Sequence, residues 1–582
     1  MRKLLPEFDR PVRSGDDPLI SDPSGALRGL TAILLVFLTV KVVFLVVLAV
    51  NTAFVMDEYT HFADTRLSLA DVYQTIWPPK TLLYAAFFGI AHWFADGAVQ
   101  LMLVARVQSA AVAMAGLGLL YLIARQLGRS RLQAIFVIAV VLAFSSYIEW
   151  AFMVRPEPLG LLFALMALWV VTRDEGTLGV YVVAGLLSGL AFLTMQKAVY
   201  FNLALGLALV GDGLARRSLK DAVLPGALLV LGWALAVGAY GLFFSLQGAS
   251  FTGMLSHVFI GPSAENVVRG HEVYGSLRHF VIRVLLRDPA LYALCVGGLA
   301  FVAFRISGLS GPERRAWIFS AVIGILVFAH RSPWPYNFIM AIPFLALWST
   351  VLPPLFLQRV MPVKVAFAGL MAFVFAVSLA RNVMYLQHDN GFQNRTLRLA
   401  ESLVGPDDTY ADGIRMLVTR RDVVPSWWDR RTIARLRARA EQGGLGEFAT
   451  TFEGKPKVWI LSYRTAALND FLQPYLEASY VPVFPNILLT GIELRPGRDV
   501  RFENRWPGKY RLYKADGSPV EAPLVIDRSR VAGPVELETG PHSLRLVEGQ
   551  EPLFLLPADI AVPFDLTRPR ERKTLFDRVY TF

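Results

Sequence analysis

Long apolar runs separated by short polar connections occupy the chain up to about residue 385. The first run, 29–50, is long enough to cross a bilayer, because a membrane span needs roughly 20 apolar residues. Further apolar segments follow at 81–95, 99–124, 132–153, 157–172, 178–195, 197–214, 222–247, 288–304, 316–330, 335–355 and 361–385. This pattern predicts a polytopic α-helical membrane protein.

The pattern changes from about His388, where charged residues become frequent and no apolar run could span a bilayer. Residues 389–500 mix helical periodicity with short strand-like runs, which predicts an outer α/β domain. Residues 501–582 are short β-rich runs separated by turn signals such as Pro507-Gly508, which predicts an outer antiparallel β-sandwich. Residues 29–388 then form the transmembrane domain. Residues 1–28 lack the apolar core of a signal peptide, and we expect a cytoplasmic tail there.

The basic connections set the expected topology. If every segment crossed, Arg125, Arg129 and Arg131 would lie outside, against the positive-inside rule. Segment 81–95 has only about 15 residues, too few to cross at about 1.5 Å per residue. Treating it as an interfacial or re-entrant helix in the first outer loop restores the rule. About 11 spans (11–13) result, with the amino terminus inside and the region after Tyr385 outside.

The connection between 247 and 287 does not fit this topology. It lies outside in the eleven-span count, yet it carries several arginines: Arg269, Arg278, Arg283 and Arg287. Either the count is wrong, or these arginines face an anionic group.

Composition supports the membrane class. The 582 residues are 54% hydrophobic and 18% charged, with a mean hydropathy of +0.46. The formal net charge of +11 is explained by the positive-inside bias, so we expect no nucleic-acid partner. The single cysteine, Cys295, excludes an intramolecular disulfide and a cysteine-based metal site.

Charged side chains near the outer ends of the spans are the candidate functional residues, because charge at membrane depth is costly. An acidic pair, Asp57-Glu58, opens the first outer loop directly after the first span. Under the eleven-span count the outer set is Asp57, Glu58, Asp64, Lys80, Glu149, Arg155, Glu157, Lys197, His330 and Arg331. These residues come from four separate connections, which predicts that they converge on one site.

Structural explanations compete with this reading. The acidic pair could only mark a solvated loop end, and Arg155 and Glu157 could form an ion pair that stabilises the turn. Lys197 could reach the interface as a snorkelling lysine. The aromatic residues beside His330 and Arg331 could belong to an interfacial belt.

Short motifs resemble the membrane-integral GT-C-type glycosyltransferases that use polyprenyl-phosphate sugars. The likeness is greatest to the protein O-mannosyltransferase and lipid A aminoarabinose transferase group. It rests on Asp57-Glu58 after an apolar anchor, Pro78-Pro79-Lys80-Thr81 before a short apolar helix, Arg155-Pro156-Glu157-Pro158, residues 189–194 and the patch 330–336. It covers most of 28–385.

This resemblance implies that Asp57 is the catalytic base and that Lys80 contacts the donor phosphate. The sequence departs from the aminoarabinose transferases at one point. Those enzymes have a Glu-Lys-Pro-Pro run, whereas Lys80 here follows two prolines and has no acidic neighbour. A metal site that uses that glutamate is therefore in doubt. We expect no other cofactor, and the participation of a divalent cation stays open.

The chemistry of such a transfer needs a base and several cations. A carboxylate base contributes on the order of 10²–10⁴-fold, and cations stabilise the phosphate leaving group. We therefore expect an inverting glycosyltransferase, with Asp57 as base and Glu58 and Glu157 orienting the acceptor or a cation. The phosphate-binding candidates are Lys80, Arg155, Lys197, His330 and Arg331.

The expected partners are a polyprenyl-phosphate sugar donor, a lipid, glycan or protein acceptor, and the bilayer. The expected location is the inner membrane, with the C-terminal domain on the periplasmic or extracellular side. Two other classes remain open: a transporter or flippase, and a non-catalytic envelope-glycan assembly protein.

Overall fold

The computed structural model describes residues 25–582 except 79, 174–176, 260–277, 358–359, 424–427, 451, 453–454, 548, 550, 561–565, 567–572 and 577–582. Most of the expected cytoplasmic tail, and Arg269, lie outside the described residues. The chain forms two compact units. The helical unit comprises Met1–Val50, Arg66–Phe88 and Arg106–Gln387, and the mixed unit comprises Asn51–Thr65, Gly89–Ala105 and His388–Phe582.

Helices make up the chain as far as Tyr385. In chain order they are α1 (Gly25–Asn51), α2 (Met56–Ala63), α3 (Leu83–Gly89), α4 (Ala98–Gln126), α5 (Arg131–Ala143), α6 (Ser145–Trp150), α7 (Pro156–Val171), α8 (Gly179–Thr194), α9 (Val199–Ala215), α10 (Leu219–Leu246), α11 (Phe251–Phe259), α12 (Arg278–Arg287), α13 (Pro289–Ala303), α14 (Gly311–Phe328), α15 (Ile342–Ala346), α16 (Leu352–Leu357) and α17 (Met361–Tyr385). Short 3₁₀ turns join several of them, including Ile90–Trp93, Gln196–Ala198 and Pro335–Met340.

Several of these helices are long and apolar enough to cross a membrane. Among the described residues there are five: Thr31–Asn51, Ala98–Gln126, Gln196–Ala215, Val223–Leu246 and Met361–Tyr385. The bent pair α12 and α13, with 94° between its helices, would make a sixth. The chain is therefore a polytopic membrane protein, as predicted.

The count of about eleven spans is not confirmed, because several predicted segments are shorter or broken helices. Segment 132–153 is interrupted at Phe144, whose extended backbone (φ −64°, ψ 124°) separates α5 from α6. Segment 335–355 is a series of short helical turns, with Pro335 and Pro343 at the starts of two of them. Segment 81–95 is α3 followed by a 3₁₀ turn, so it is as short as expected.

Glycines allow α8 and α10 to pack backbone against backbone. A Cβ at Gly185 would lie 2.1 Å from the Leu229 carbonyl oxygen, and one at Gly232 would lie 2.1 Å from the Val182 carbonyl oxygen. Small residues at such contacts let membrane helices approach closely, since lipid gives no hydrophobic drive to helix association. Larger side chains at either glycine would force these helices apart.

The mixed unit contains a five-stranded sheet with helices packed on it. The sheet has the order β2-β1-β3-β5-β4, from β1 (Thr409–Ala411), β2 (Arg421–Asp422), β3 (Val458–Ile460), β4 (Tyr480–Phe484) and β5 (Ile487–Thr490). β2, β1 and β3 run parallel, and β5 and β4 complete the sheet antiparallel. The helices are α18 (Gly391–Leu403), α19 (Arg430–Thr450), α20 (Tyr463–Ala466) and α21 (Asn469–Glu477). Aromatic residues, including Trp428, Trp459 and Tyr475, form its core.

Two further antiparallel sheets form a β-sandwich. One has the order β11-β10-β13-β7, and the other has the order β12-β8-β14-β6 with β9 on β8. The strands are β6 (Ile492–Leu494), β7 (Asp499–Asn504), β8 (Gly508–Tyr513), β9 (Pro519–Val520), β10 (Leu524–Ile526), β11 (Ser529–Val531), β12 (Val535–Leu537), β13 (Gly540–Leu546) and β14 (Leu553–Pro557). Phe502 and Leu544 from the first sheet and Tyr510 and Leu555 from the second share one core.

The boundary between the α/β part and the sandwich corrects the sequence-based expectation. The sequence assigned residues up to 500 to the α/β domain. However, β6 pairs with β14 of the sandwich, because Leu494 and Leu553 lie opposite each other. The alternation of short strands is similar on both sides of this point, so local pattern alone does not separate them.

Lys457 joins the α/β part to the sandwich. Its buried ammonium lies 2.8 Å from Asp408 Oδ2 and 2.6 Å from Asp559 Oδ2, and 4.5 Å from the centre of the Trp506 ring. Trp506 Nε1 also donates to Asp408 Oδ1 (3.0 Å). Burial alone would raise the pKa of Asp408, but the Lys457 hydrogen bond and charge outweigh it and lower that pKa. This stabilisation is therefore present at neutral pH and is lost as acid protonates Asp408.

Replacing Lys457 by methionine is expected to lower the free energy of unfolding by roughly 2 kcal/mol, because the half-buried Asp408 carboxylate loses a charged hydrogen-bond partner. Pulse proteolysis of the full-length protein in urea would measure this loss at neutral pH. The difference from the unaltered protein should shrink as the pH falls through the lowered pKa of Asp408. The exposed Lys514→Met is the control and should change stability by less than about 0.5 kcal/mol. An equal effect of both variants would contradict the interpretation.

Candidate functional site

The acidic pair of the first loop lies at the start of α2. Val55 precedes the helix with an extended backbone and has no side chain that could cap it. The fully buried Glu58 carboxylate takes that role and accepts the Val55 amide at 2.9 Å. Acidic residues in the first turn are also favoured by the helix dipole. Glu58 therefore holds the helix start.

Asp57 is the half-buried member of the pair. Its backbone carbonyl accepts the Thr60 hydroxyl at 2.9 Å, within the first turn of α2. Because Glu58 is committed to the helix start, Asp57 is the carboxylate of the pair that retains access to solvent.

The segment before α2 is fixed by the mixed unit. Gln393 on α18 accepts the Phe54 amide at 2.7 Å and donates to the Phe54 carbonyl at 3.0 Å. The Ala53 amide donates to the His388 carbonyl at 2.7 Å, and Thr52 and Asp389 form an isolated β-bridge. The sequence placed Asp57 and Glu58 within the transmembrane domain 29–388, whereas their segment packs with residues 388–582.

A second cluster lies in the helical unit, around Glu157. Glu157 Oε2 is 3.2 Å from Arg155 Nε, and Glu157 Oε1 is 3.6 Å from Lys197 Nζ. Both cations lie against the Tyr336 ring, at 3.6 Å from its centre for Arg155 and 4.4 Å for Lys197. Lys197 Nζ also donates to Asn337 Oδ1 at 2.7 Å. Three connections that are distant in sequence therefore meet here.

Helix breaks bring these side chains together. Arg155 is the extended residue before Pro156, which starts α7 at the helix position that proline tolerates best. Lys197 lies in the 3₁₀ turn that follows the extended residue Met195, between α8 and α9. Tyr336 lies in the 3₁₀ turn that begins at Pro335. The polar residues thus occupy the ends of helices, where the backbone changes direction.

The two cations of the cluster differ in burial. The Arg155 side chain is 2% exposed, whereas that of Lys197 is 30% exposed. Arg155 and Glu157 form the ion pair that the structural explanation predicted. Lys197 does more than snorkel, because Glu157 and Asn337 both bind its ammonium. Two cations lie beside one carboxylate, and Lys197 is the more accessible of the two.

The remaining candidates do not all join this cluster. His330 packs edge-on against Tyr200, with ring centres 5.5 Å apart, and its Nδ1 accepts the Ser332 amide at 3.1 Å. Arg331 is exposed, and Lys80 is half-buried. Lys80 and both of these residues belong to the helical unit, whereas Asp57, Glu58 and Asp64 belong to the mixed unit.

Further charged pairs in the helical unit were missed from the sequence. Glu149 was a candidate, and its partner is Arg287, whose guanidinium lies 2.9 Å from Glu149 Oε2 and also donates to the Tyr385 hydroxyl. Arg287 thus faces an anionic group, one of the two explanations raised by the 247–287 connection. Asp288 binds Arg381 at 2.6 Å.

Lys41 is a fully buried charged residue that was not predicted from the sequence as a candidate. Its ammonium donates to the Ser378 hydroxyl at 2.7 Å, which links α1 to α17. A lysine in the middle of an apolar run was a visible signal, since such residues are rare and almost always partnered.

The described residues contain no group of three or more His, Cys, Asp or Glu side chains that could hold a metal ion. The charged clusters instead pair carboxylates with cations.

Parts of the chain match known sequence families. Residues 86–240 match the family described as dolichyl-phosphate-mannose-protein mannosyltransferase. Residues 440–489 and 492–557 each match a domain of unknown function. Among curated protein sequences, none matches the chain.

A solved structure shares the fold. ArnT from Cupriavidus metallidurans, crystallised with undecaprenyl phosphate, is 15% identical, with a TM-score of 0.55 over 79% of this chain and 98% of ArnT. The oligosaccharyltransferase AglB from Archaeoglobus fulgidus, in complex with an inhibitory peptide and a dolichol phosphate, is 12% identical, with a TM-score of 0.45 over 86% of this chain and 76% of AglB. The resemblance inferred from the short motifs is confirmed.

Proposed function

We propose that the protein is an inverting glycosyltransferase that moves a sugar from a polyprenyl-phosphate carrier to an acceptor hydroxyl. The observation that carries this proposal is the match of residues 86–240 to the mannosyltransferase family. That region contains Arg155, Glu157 and Lys197, the charged cluster of the helical unit. The fold shared with ArnT, which binds undecaprenyl phosphate in its crystal, supports the same class of donor.

Asp57 serves as the general base in this proposal. It is half-buried at the start of a short helix, and the neighbouring Glu58 is occupied with the helix start. A carboxylate held in this way can take the proton of the acceptor hydroxyl as the oxygen attacks the anomeric carbon. Direct attack displaces the lipid phosphate from the opposite face, so the configuration at the anomeric carbon inverts.

Lys197 binds the donor phosphate in this proposal. Its ammonium is the accessible cation of its cluster, and Glu157, Asn337 and Tyr336 fix its position. A positioned cation stabilises the charge that develops on the leaving phosphate without reorganising during the reaction. Arg155 holds Glu157, and Glu157 orients Lys197.

Three other side chains remain candidates for contact with the donor phosphate: Lys80, His330 and Arg331. Lys80 is half-buried beside the start of α3, and Arg331 is exposed. Each occupies a break between apolar segments, where a polyprenyl phosphate would present its headgroup at the membrane surface.

The proposed location is the inner membrane. The amino terminus lies inside, the shorter apolar helices complete about eleven crossings, and α3 is the re-entrant helix. Residues 29–388 make the transmembrane domain, and the α/β and sandwich parts lie on the periplasmic or extracellular side. The acceptor is a lipid, glycan or protein on that side. Trp93 and Phe94, 80% and 73% exposed after α3, are side chains that favour a membrane interface.

Transfer from a labelled donor tests the proposal. The purified full-length protein in lipid nanodiscs would receive a panel of polyprenyl-phosphate sugars with an envelope extract as acceptor. We expect one donor to release polyprenyl phosphate and to label an acceptor with inverted anomeric configuration. Retention of configuration, or no release from any donor that binds, would contradict the proposal.

A further inference from the structure

The carboxyl ends of the parallel strands β1 and β3 meet α2, the helix that carries Asp57. In open α/β sheets this edge is the usual place for a ligand, because loops from neighbouring strands converge there. Here the loop after β1 contributes Arg415, and α20, the short helix that follows β3, contributes Tyr463 and Arg464. All of them contact α2 or the residue that follows it.

Arg415 holds the carboxyl end of α2. Its guanidinium donates to the Ala63 carbonyl at 3.1 Å and to Asp64 Oδ1 at 3.2 Å. The last carbonyls of a helix lack partners within the helix, and a cation at this end interacts favourably with the helix dipole. One side chain therefore binds both the helix end and the residue that terminates it.

The amino end of α2 is held by α20, the short helix that follows β3. The Tyr463 hydroxyl lies 2.7 Å from Met56 Sδ, and Arg464 Nε lies 3.3 Å from the same sulfur. Met56 directly precedes Asp57. Tyr463 also packs edge-on against Phe576, which in turn packs edge-on against Tyr59 on α2.

The loop that presents Arg415 is itself braced. Arg415 has a φ of +72°, a left-handed conformation that costs about 1 kcal/mol or more for a residue with a side chain. The fully buried Asp412 carboxylate compensates by accepting the amides of Ile414 (2.6 Å), Arg415 (2.7 Å) and Met416 (2.7 Å). A strained backbone kept in place by a buried carboxylate marks a side chain whose direction matters.

We infer that the α/β part of the mixed unit is a positioning device for the catalytic base, with Arg415 as its positioning residue. Arg415 does not touch the reacting atoms. It fixes the carboxyl end of α2, so that Asp57 at the other end points towards the acceptor hydroxyl. This inference rests on the proposed function.

The expected magnitude follows from geometry. A displacement of about 1 Å in a catalytic group can cost on the order of 10²-fold in rate. Arg415→Gln removes the ion pair but keeps a hydrogen-bonding side chain. We expect it to lower kcat by about 10- to 100-fold and to leave the KM for the donor within about 2-fold, since the donor is bound elsewhere. Arg415→Lys keeps the charge and should restore part of kcat.

The test combines turnover with hydrogen exchange on the full-length protein in nanodiscs. Arg415→Gln should raise exchange of the amides of 56–66 by about 10-fold or more and leave the sandwich strands unchanged, because only α2 loses its anchor. The control is Arg398→Gln on the exposed face of α18, which should change neither readout. Loss of protection throughout the mixed unit would overturn the inference in favour of a folding role.

The test also separates this inference from the proposed function. If Asp57→Asn abolishes transfer and Arg415→Gln changes neither kcat nor exchange of α2, the positioning role is wrong and the enzyme proposal stands. If Arg415→Gln loosens α2 but Asp57→Asn transfers normally, α2 does not carry the base and the catalytic assignment is wrong. Activity lost in Arg415→Gln and not improved in Arg415→Lys, with α2 exchange unchanged, would also overturn the positioning role.

Discussion

Asp57→Asn is expected to lower kcat for sugar transfer by about 10²- to 10⁴-fold, the contribution of a positioned general base. The amide is nearly the same size as the carboxylate, so α2 and its contacts should persist. The KM for the polyprenyl-phosphate donor should change by less than about 3-fold, because the base acts on the acceptor. Release of polyprenyl phosphate from a labelled donor, measured at several donor concentrations, gives both constants.

Two controls sharpen this measurement. Asp57→Glu keeps the charge and moves the carboxylate, so it should retain more activity than Asp57→Asn. Asp96→Asn removes an exposed carboxylate from the same unit and should leave transfer unchanged. If Asp57→Asn transfers at nearly the normal rate while the protein remains folded, Asp57 is not the base.

The candidate residues could be singled out from the sequence where their position was unusual in itself. Charge is expensive beside an apolar span, so Asp57 after α1 and Arg155 and Glu157 before α7 were visible without a structure. The sequence could not show how they are used. Whether Arg155 binds a ligand or Glu157 depends on a distance, and the structure gives 3.2 Å to Glu157.

Tertiary contacts explain most of what the sequence missed. Glu58 looked equivalent to Asp57, yet one carboxylate caps the helix and the other stays half-buried. Arg415 gave no signal, because a single arginine in a polar loop resembles any solvated residue. Its partner Asp64 lies 351 residues earlier in the chain. No local sequence pattern encodes such a pairing.

The sequence predicted the fold class, but it predicted the interruptions within the helices less well. Apolar runs identified the long helices, since hydropathy reflects the cost of burying polar groups in lipid. The sequence marks the interruption at Phe144 with Ser145 and Ser146, but two polar residues leave the run 132–153 predominantly apolar. The number of crossings therefore depends on backbone geometry that composition does not record.

Lys197→Met is expected to lower kcat by about 10²- to 10³-fold, the usual effect of removing one positioned group that stabilises transition-state charge. Methionine keeps most of the length and volume of lysine, so the contact with Tyr336 should persist. Glu157 keeps Arg155 as a partner in this variant, which limits the structural damage.

Lys197→Arg should retain part of the activity, because it keeps the positive charge but changes the shape of the group that donates hydrogen bonds to the phosphate. The exposed Lys220→Met is the matched control and should transfer normally. Steady-state transfer in nanodiscs, with binding of polyprenyl phosphate alone measured in parallel, would show a loss in both readouts for Lys197→Met. Normal turnover in that variant would show that Lys197 does not bind the donor phosphate. The remaining candidates for that role would then be Lys80, His330 and Arg331.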